Sequence, residues 1–379
     1  MVLQKLGDAQ RILVFGDSTI ENKLPVIRAL WEASESHPLL KAFLQQAVEI
    51  IQEETQKLAS HEGSLFLHCI DVLEVAEVYA EADEPDELIA SVLALVARFG
   101  ALVLDLERDD SNKRSVGPVS ILGFCTGLLA GAVAACAEDM IKVFDLACEV
   151  LAISFRLVVA LVRRSKAIEP NAGLWATTFI RISKEELEMQ LDDYNLHHGL
   201  SQDKKAYIGV SSQSWNSVFA PPSVILHIAR QCPILSQISQ VPTTAAMAVH
   251  ASHLSRPDVN WILGSLPGLE TPVLPDRLIV STSTGKPFLA KTLRELIQSI
   301  IADISMNILD IDGTIHGICS GLDMTKPVVI SAMGPSPNIP ALTRRLASGG
   351  VQLKTFAVIA GDRPRRVVPR RPSSSGYSS

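Results

Sequence analysis

A short apolar run, Val119 to Leu122, ends in Gly123-x-Cys125-x-Gly127, and an apolar helical run from Leu128 to Ala137 follows at once. Few backbones fit this order. Two glycines flanking one side chain leave room for a sharp strand-to-helix turn, which lifts the central residue above a sheet. A helix N-terminus directly behind it offers free N–H groups and the positive end of a dipole. Such surroundings lower a thiol pKa and help hold an oxyanion. The pattern predicts a nucleophile elbow with Cys125 at its tip, within an α/β fold. The competing reading is a buried structural cysteine beside two packing glycines.

The rest of the composition narrows the class. The chain has 379 residues, 47% hydrophobic and 20% charged, with a net charge of −7. That is a globular protein with a large core, and its acidity argues against nucleic acid as a partner. Six cysteines, Cys69, Cys125, Cys136, Cys148, Cys232 and Cys319, are scattered without a CxxC pair. The scatter predicts a reducing, cytoplasmic setting with no disulfide framework and no zinc site. The N-terminus lacks the layout of a signal peptide. Two apolar stretches, Leu88 to Leu106 and Leu128 to Val162, are interrupted by charged residues such as Arg98, Glu138, Lys142 and Arg156. They read as buried helices, with no membrane span.

Along the chain, Arg11 to Phe15 reads as a buried first strand ending in the turn Gly16-Asp17-Ser18-Thr19. A helical region spans Leu24 to Ala80, and Pro85 starts a helix through Ala97. After the elbow a helix runs from Ile141 to Arg164. Beyond a composition shift near Lys166 to Gly173, the pattern is strand (Trp175 to Ile182), helix (Ser183 to Tyr194), strands (Ala206 to Ser211, Asn216 to Phe219), helix (Pro222 to Gln231) and strand (Gln237 to Val241). This βαββαβ order is that of a ferredoxin-like subdomain. It is inserted into a larger α/β body, because βα units resume with strands at Leu278 to Ser281, Val328 to Ser331 and Phe356 to Ile359 and helices at Ala290 to Met306 and Pro340 to Ala347. From Arg363 the chain turns to Arg, Pro and Ser, a solvated linker.

A thiol nucleophile needs a base. His250 and His253, in Val249-His250-Ala251-Ser252-His253-Leu254, re-enter the body just after the inserted unit and are the candidates; the alternative is a pair of ordinary loop histidines. The Gly16–Ser18 turn and the N–H of Thr126 are candidate oxyanion donors, the alternative for the turn being a helix cap. Two motifs mislead. Asp310-x-Asp312-Gly313-Thr314 matches a phosphatase signature, but too little chain follows to build that core. Thr284-Gly285-Lys286-Pro287 fails as a phosphate loop, because Val280 and Pro287 stand where glycine and Ser/Thr are required.

Four segments in order carry a resemblance: Phe15-Gly16-Asp17-Ser18-Thr19, Gly123-Phe124-Cys125-Thr126-Gly127, Val249 to Leu254, and Ser281 to Phe288. Together the chain resembles the starter-unit acyltransferase (SAT) domain of fungal non-reducing polyketide synthases. The resemblance implies a hydrolase-like acyltransferase core, residues 1–172 and 243–361, with the ferredoxin-like unit at 173–242 and a linker at 362–379 leading to a ketosynthase and further domains. It implies ping-pong transfer of an acyl group from acyl-CoA, or from the carrier protein of a fatty-acid synthase or highly reducing polyketide synthase, to an acyl carrier protein, with no tightly bound cofactor or metal. Cys125 and His250 would be the catalytic pair, and His253 structural or substrate-binding. Arg156, the comparable arginine on the helix after the elbow, would pair a substrate carboxylate or, as favoured for uncharged starters, form a structural ion pair. Val249 replaces a usual Tyr, and Ser18 a frequent Gln. A Cys/His thioester hydrolase and a non-catalytic carrier-protein docking module are the alternatives.

Overall fold

A computed structural model of the chain describes residues 9–16, 23–58, 64–82, 86–108, 118–171, 173–243 and 245–359. Strand β1 (Gln10–Phe15) is buried along its length apart from half-buried Arg11. The long helical region resolves into α1 (Lys23–Ser34), α2 (Pro38–Gln56) and α3 (Val72–Glu81), with a 3-10 turn at Ser64–Leu67. Local chemistry sets the breaks: Pro38 opens α2, and Asp71 caps α3 by accepting from the Glu74 N–H. Helix α4 (Glu87–Arg108) runs well past Ala97, the end expected from sequence. Gly100 does not stop it, because its missing side chain is filled by Leu30 and Leu40 of the helices packed against it. By length and composition α4 could cross a membrane, yet 94% of its apolar window is buried within the fold.

Strand β2 (Val119–Gly123) leads through the cysteine turn into α5 (Gly127–Cys136), and Asp139 caps the long α6 (Met140–Ile168). Next come β3 (Ala176–Ile180), α7 (Lys184–His197), β4 (Tyr207–Ser211), β5 (Trp215–Phe219), α8 (Pro222–Gln231) and β6 (Gln240–Pro242). The last strand is shorter and later than the pattern suggested. Residues Leu235–Gln237 form a 3-10 turn, closed where the Leu235 carbonyl takes the Ile238 N–H and the Gln240 side chain. These strands form a sheet in the order β6-β3-β5-β4, each antiparallel to its neighbour. Helices α7 and α8 pack on it around Phe179, Leu187, Leu191, Val218 and Ile228.

The chain continues through α9 (Val259–Leu263), β7 (Arg277–Ile279), α10 (Leu293–Ser305), β8 (Leu309–Asp310), α11 (Ile311–Ser320), β9 (Val328–Ala332), α12 (Ile339–Ser348) and β10 (Leu353–Ala357). Helix α11 was hidden inside the phosphatase-like motif. Asp310 is its N-cap, accepting from the Gly313 N–H at 2.9 Å, and Asp312 accepts from the Gln213 N–H at 2.7 Å. Strand β8 adds to the small sheet, parallel to β4.

The second sheet is wholly parallel, in the order β10-β9-β1-β2-β7. Its strands read as continuous apolar runs because both faces are covered. Alternate residues go to different cores: Leu13, Phe15 and Ile121 join the large helical core with α2, α4 and α6, while Ile12, Val14 and Leu122 pack under α11 and α12. The C-terminal edge of such a sheet is where ligands bind. Gly16, Cys125 and the Ser281–Lys286 turn all leave strands at that edge.

Candidate active site

The elbow forms as the sequence demands. Cys125 has φ 50°, a left-handed conformation that a side-chain-bearing residue adopts only when its surroundings fix it. The turn is closed by Gly127 N–H to Phe124 O at 2.9 Å and Leu128 N–H to Cys125 O at 3.1 Å. Both glycines are required by close approach. A Cβ on Gly123 would lie 2.6 Å from the Leu128 backbone, and one on Gly127 2.6 Å from the Phe15 carbonyl oxygen. Phe124 N–H donates to that same Phe15 carbonyl, so the elbow is bolted to the end of β1. Gly16 sits equally tightly against the backbone of Pro335.

Cys125 is half-buried at the tip, whereas Cys69, Cys136 and Cys319 are buried. Burial pushes the Cys136 thiol up to about 12, and burial with nearby Asp145 and Glu149 does the same for Cys148. Those thiols are poor nucleophiles. Thr126 is buried, and its hydroxyl has no hydrogen-bond partner among the described residues. Asp17 and Ser18, the other expected oxyanion residues, lie outside the described residues.

His250 is 2% exposed and, like Cys125, left-handed, with φ 56°. Its Nδ1 lies 3.0 Å from the Asp303 carbonyl and 2.9 Å from that of Asn307. Carbonyl oxygens only accept, so Nδ1 carries the hydrogen, and in the neutral form of the ring the lone pair lies on Nε2. The His250 N–H donates to Ile304 O, and the Ala251 N–H to Ser305 O. The histidine is thus tied to the end of α10, which itself packs on α5, the helix behind the elbow.

Asp303 and Asn307 were not read from the sequence. The Asp303 carboxylate is buried and accepts from Ser281 Oγ (2.7 Å), the Thr282 N–H (2.9 Å), Ser283 Oγ (2.9 Å) and Asn307 Nδ2 (3.0 Å). One residue therefore joins the Ser281–Phe288 segment to the histidine. A signal existed: Asp303 falls on the face defined by Leu296 and Ile300, a charge on a buried stripe. Gly285 (φ 65°) packs its loop against Gly313 and Gly317 of α11 at a distance no side chain would permit.

The two remaining candidates sit elsewhere. The Arg156 guanidinium meets Glu54 through Nε and Nη2, both at 2.7 Å, and its Nη1 faces the carbonyls of Ile262 and Leu263. Burial would raise the Glu54 carboxyl, but hydrogen bonds from Arg156 and Lys57 and their charges outweigh it and hold it below its ordinary value. His253 packs edge-on to Tyr207 at 4.6 Å, and its buried Nε2 has no hydrogen-bond partner among the described residues. It borders a cavity of about 770 Å³ whose lining contains neither Cys125 nor His250. Burial, then the charges of Arg164 and Lys205, lower its pKa below the ordinary histidine value. Among the described residues, no group of three His, Cys, Asp or Glu side chains is placed to hold a metal.

This fold, a parallel sheet bearing an elbow and a small antiparallel sheet, is that of the acyl-carrier-protein transacylases. It superposes on malonyl-CoA:acyl carrier protein transacylase from Helicobacter pylori with a TM-score of 0.60 at 11% identity, covering 92% of this chain and 94% of that one. A loading acyltransferase of the avermectin modular polyketide synthase gives 0.55 at 13% identity, over 92% and 94%. Residues 13–250 match the family described as "Starter unit:ACP transacylase in aflatoxin biosynthesis", and the chain belongs to this SAT family. Its relatives include the non-reducing polyketide synthases men2 of Menisporopsis theobromae, 31% identical over 91% of this chain, and stmB of Aspergillus ustus, 30% identical over 89%. The chain spans 16% of the length of each.

Proposed function

We propose that the chain loads a starter acyl group onto the acyl carrier protein of a polyketide synthase by ping-pong transfer through an acyl-cysteine. His250 Nε2 takes the Cys125 thiol proton. The thiolate attacks the carbonyl carbon of an acyl thioester. The Thr126 N–H and the turn Gly16-Asp17-Ser18 hold the oxyanion. Collapse expels the pantetheine thiolate, which takes the proton from His250. The phosphopantetheine thiol of the carrier protein then gives its proton to His250 and attacks the acyl-cysteine; the acyl–Sγ bond breaks, and the released Cys125 thiolate takes that proton back from His250. Thioester exchanges for thioester, so each half-reaction is nearly isoenergetic.

The observation that carries this reading is the His250 imidazole, whose Nδ1–H is directed at two backbone carbonyls, which puts the lone pair of the neutral ring on Nε2. A histidine so oriented is built to exchange a proton at one atom. Arg156 supports an uncharged starter, because Glu54 occupies the guanidinium that would otherwise meet a substrate carboxylate. The donor is acyl-CoA, or a carrier protein of a fatty-acid synthase or highly reducing polyketide synthase.

We read residues 173–242 as a ferredoxin-like subdomain inserted between core segments 1–172 and 243–361; the antiparallel order β6-β3-β5-β4 supports it. Residues 362–379 are read from their composition as the linker to a ketosynthase and further domains of the same synthase. The test is intact-protein mass spectrometry after brief incubation with a panel of acyl-CoAs. An adduct that requires Cys125, is lost in Cys125→Ala, and passes to a holo carrier protein is expected. Release of CoA without an adduct would mean hydrolysis and overturn the reading.

A further inference from the structure

A left-handed histidine does not hold itself. The Val249–His250 backbone is strained at φ 56°, and no glycine relieves it. On one side it is tied to α10. On the other side, two side chains far away in sequence take the carbonyls immediately before it. Arg164, in the last turns of α6, donates from Nη2 to the Ala248 carbonyl at 2.7 Å and to the Ser305 carbonyl at 3.2 Å. Its Nη1 donates to the Ser255 carbonyl at 3.0 Å. Tyr207 donates its hydroxyl to the Val249 carbonyl at 2.9 Å. The neighbouring Ser165 hydroxyl accepts the Ala248 N–H at 2.8 Å.

One guanidinium therefore grips the residue two before the histidine, a residue five after it, and the end of the helix to which the histidine is tied. No carboxylate among the described residues pairs with Arg164. Its charge is met by backbone carbonyls. A half-buried cation retained without an anion carries a desolvation cost, and here the carbonyls it gathers belong to three segments that must keep register around His250. A planar fork of fixed donors suits that task; a lysine ammonium does not.

We propose that Arg164 is a positioning residue for the transfer reaction: it fixes the His250 loop against the end of α10 so that Nε2 is presented to Cys125. The proposal rests on the Cys125/His250 reading. Tyr207 shares the work through one carbonyl only.

The test measures the rate of Cys125 alkylation by iodoacetamide against pH, alongside the rate of acyl-cysteine formation from acyl-CoA. The proteins are wild type, His250→Ala, Arg164→Met, Arg164→Lys and Tyr207→Phe, each with its melting temperature. A histidine presented to the thiol shapes the alkylation profile, so His250→Ala moves it. Arg164→Met is expected to move it the same way and to slow acyl loading roughly 10- to 100-fold, as a misplaced base does, with KM little changed. Arg164→Lys falls between, and Tyr207→Phe loses about threefold, the share of a single hydrogen bond of ordinary strength. If Arg164→Met does not fold, Arg164→Lys and Tyr207→Phe decide by the same profile. If His250→Ala moves the profile while the folded Arg164 variants keep that of wild type, Arg164 is structural and the proposal is overturned, with the dyad intact. If His250→Ala leaves the profile unmoved, the dyad reading fails and takes this proposal with it.

Discussion

The elbow and the histidine loop solve one problem in opposite ways. Each holds a side chain at a positive φ, 50° for Cys125 and 56° for His250. The elbow does so mainly with its own residues, since the strand before, the helix after and two flanking glycines close the turn within Gly123 to Leu128, with a single neighbouring strand end, Phe15 and Gly16, braced against it. The histidine loop has no glycine and no regular element around it. It is held by Asp303, Ile304, Ser305 and Asn307 after it in the chain, and by Arg164, Ser165 and Tyr207 before it. Strain held locally leaves a motif. Strain held from a distance leaves scattered residues, each unremarked alone.

The comparison breaks most visibly at Gly127. In Gly127→Ala the new methyl would press on the Phe15 and Gly16 carbonyls, with no flexible side chain to yield. Acyl-cysteine formation should fall at least ~100-fold, read by mass spectrometry in single turnover; near-normal loading would mean that the turn is not rigid. Asp303→Ala attacks the other side. It strands the donors of Ser281, Thr282, Ser283 and Asn307, costing about 1–3 kcal/mol of stability. It should slow loading roughly tenfold through the displaced carbonyls of Asp303 and Asn307. Asp303→Asn, which keeps an acceptor, should recover part of both, measured by denaturant unfolding and the same assay.

Arg156 sharpens the contrast because it belongs to neither device. Arg156→Met leaves Glu54 buried without its main partner and should cost about 3–5 kcal/mol of stability. The folded fraction should keep its preference among acyl-CoA chain lengths, and a changed preference would return Arg156 to the pocket. The smallest effect concerns Glu87, whose carboxyl burial pushes up to about 7, against the pull of Lys23 and a hydrogen bond from the Ala246 backbone. The folded protein thus keeps a proton that the unfolded chain has lost. The stabilising contribution is whole below about 4.5, the ordinary value, and fades as pH rises through about 7. Melting temperature should decline between pH 5 and 7.5 for this reason, and Glu87→Gln should flatten that part of the curve.

What was legible follows the same division. The strand–Gly-x-Cys-x-Gly–helix pattern, the buried first strand and the βαββαβ order could be read, because each is set by neighbours in the chain. His250 was legible as a candidate, but not the choice of its proton, which Asp303 and Asn307 make from more than fifty residues away. Helix α11 was missed because its cap, Asp310, and its tie, Asp312, also fit an acidic catalytic motif. The β6 strand was misplaced because a side chain, Gln240, closes a turn that hydropathy does not register. The fate of Arg156 depended on Glu54, which lies four helices earlier in a surface-like polar run.

Strand β1 lies at the centre of the parallel sheet, between β2 and β9. Its partner residues on the β9 side, Val328 to Ala332, are made by the ribosome more than three hundred residues after it. Until then one edge of this buried strand stays unpaired, and the elbow rests on half a sheet. A fragment cut at residue 250, where the family match ends, would lose β7, β9 and β10 and keep that open edge for good. Such a piece should be recovered as aggregate, and the shortest fragment worth expressing for this unit extends through β10.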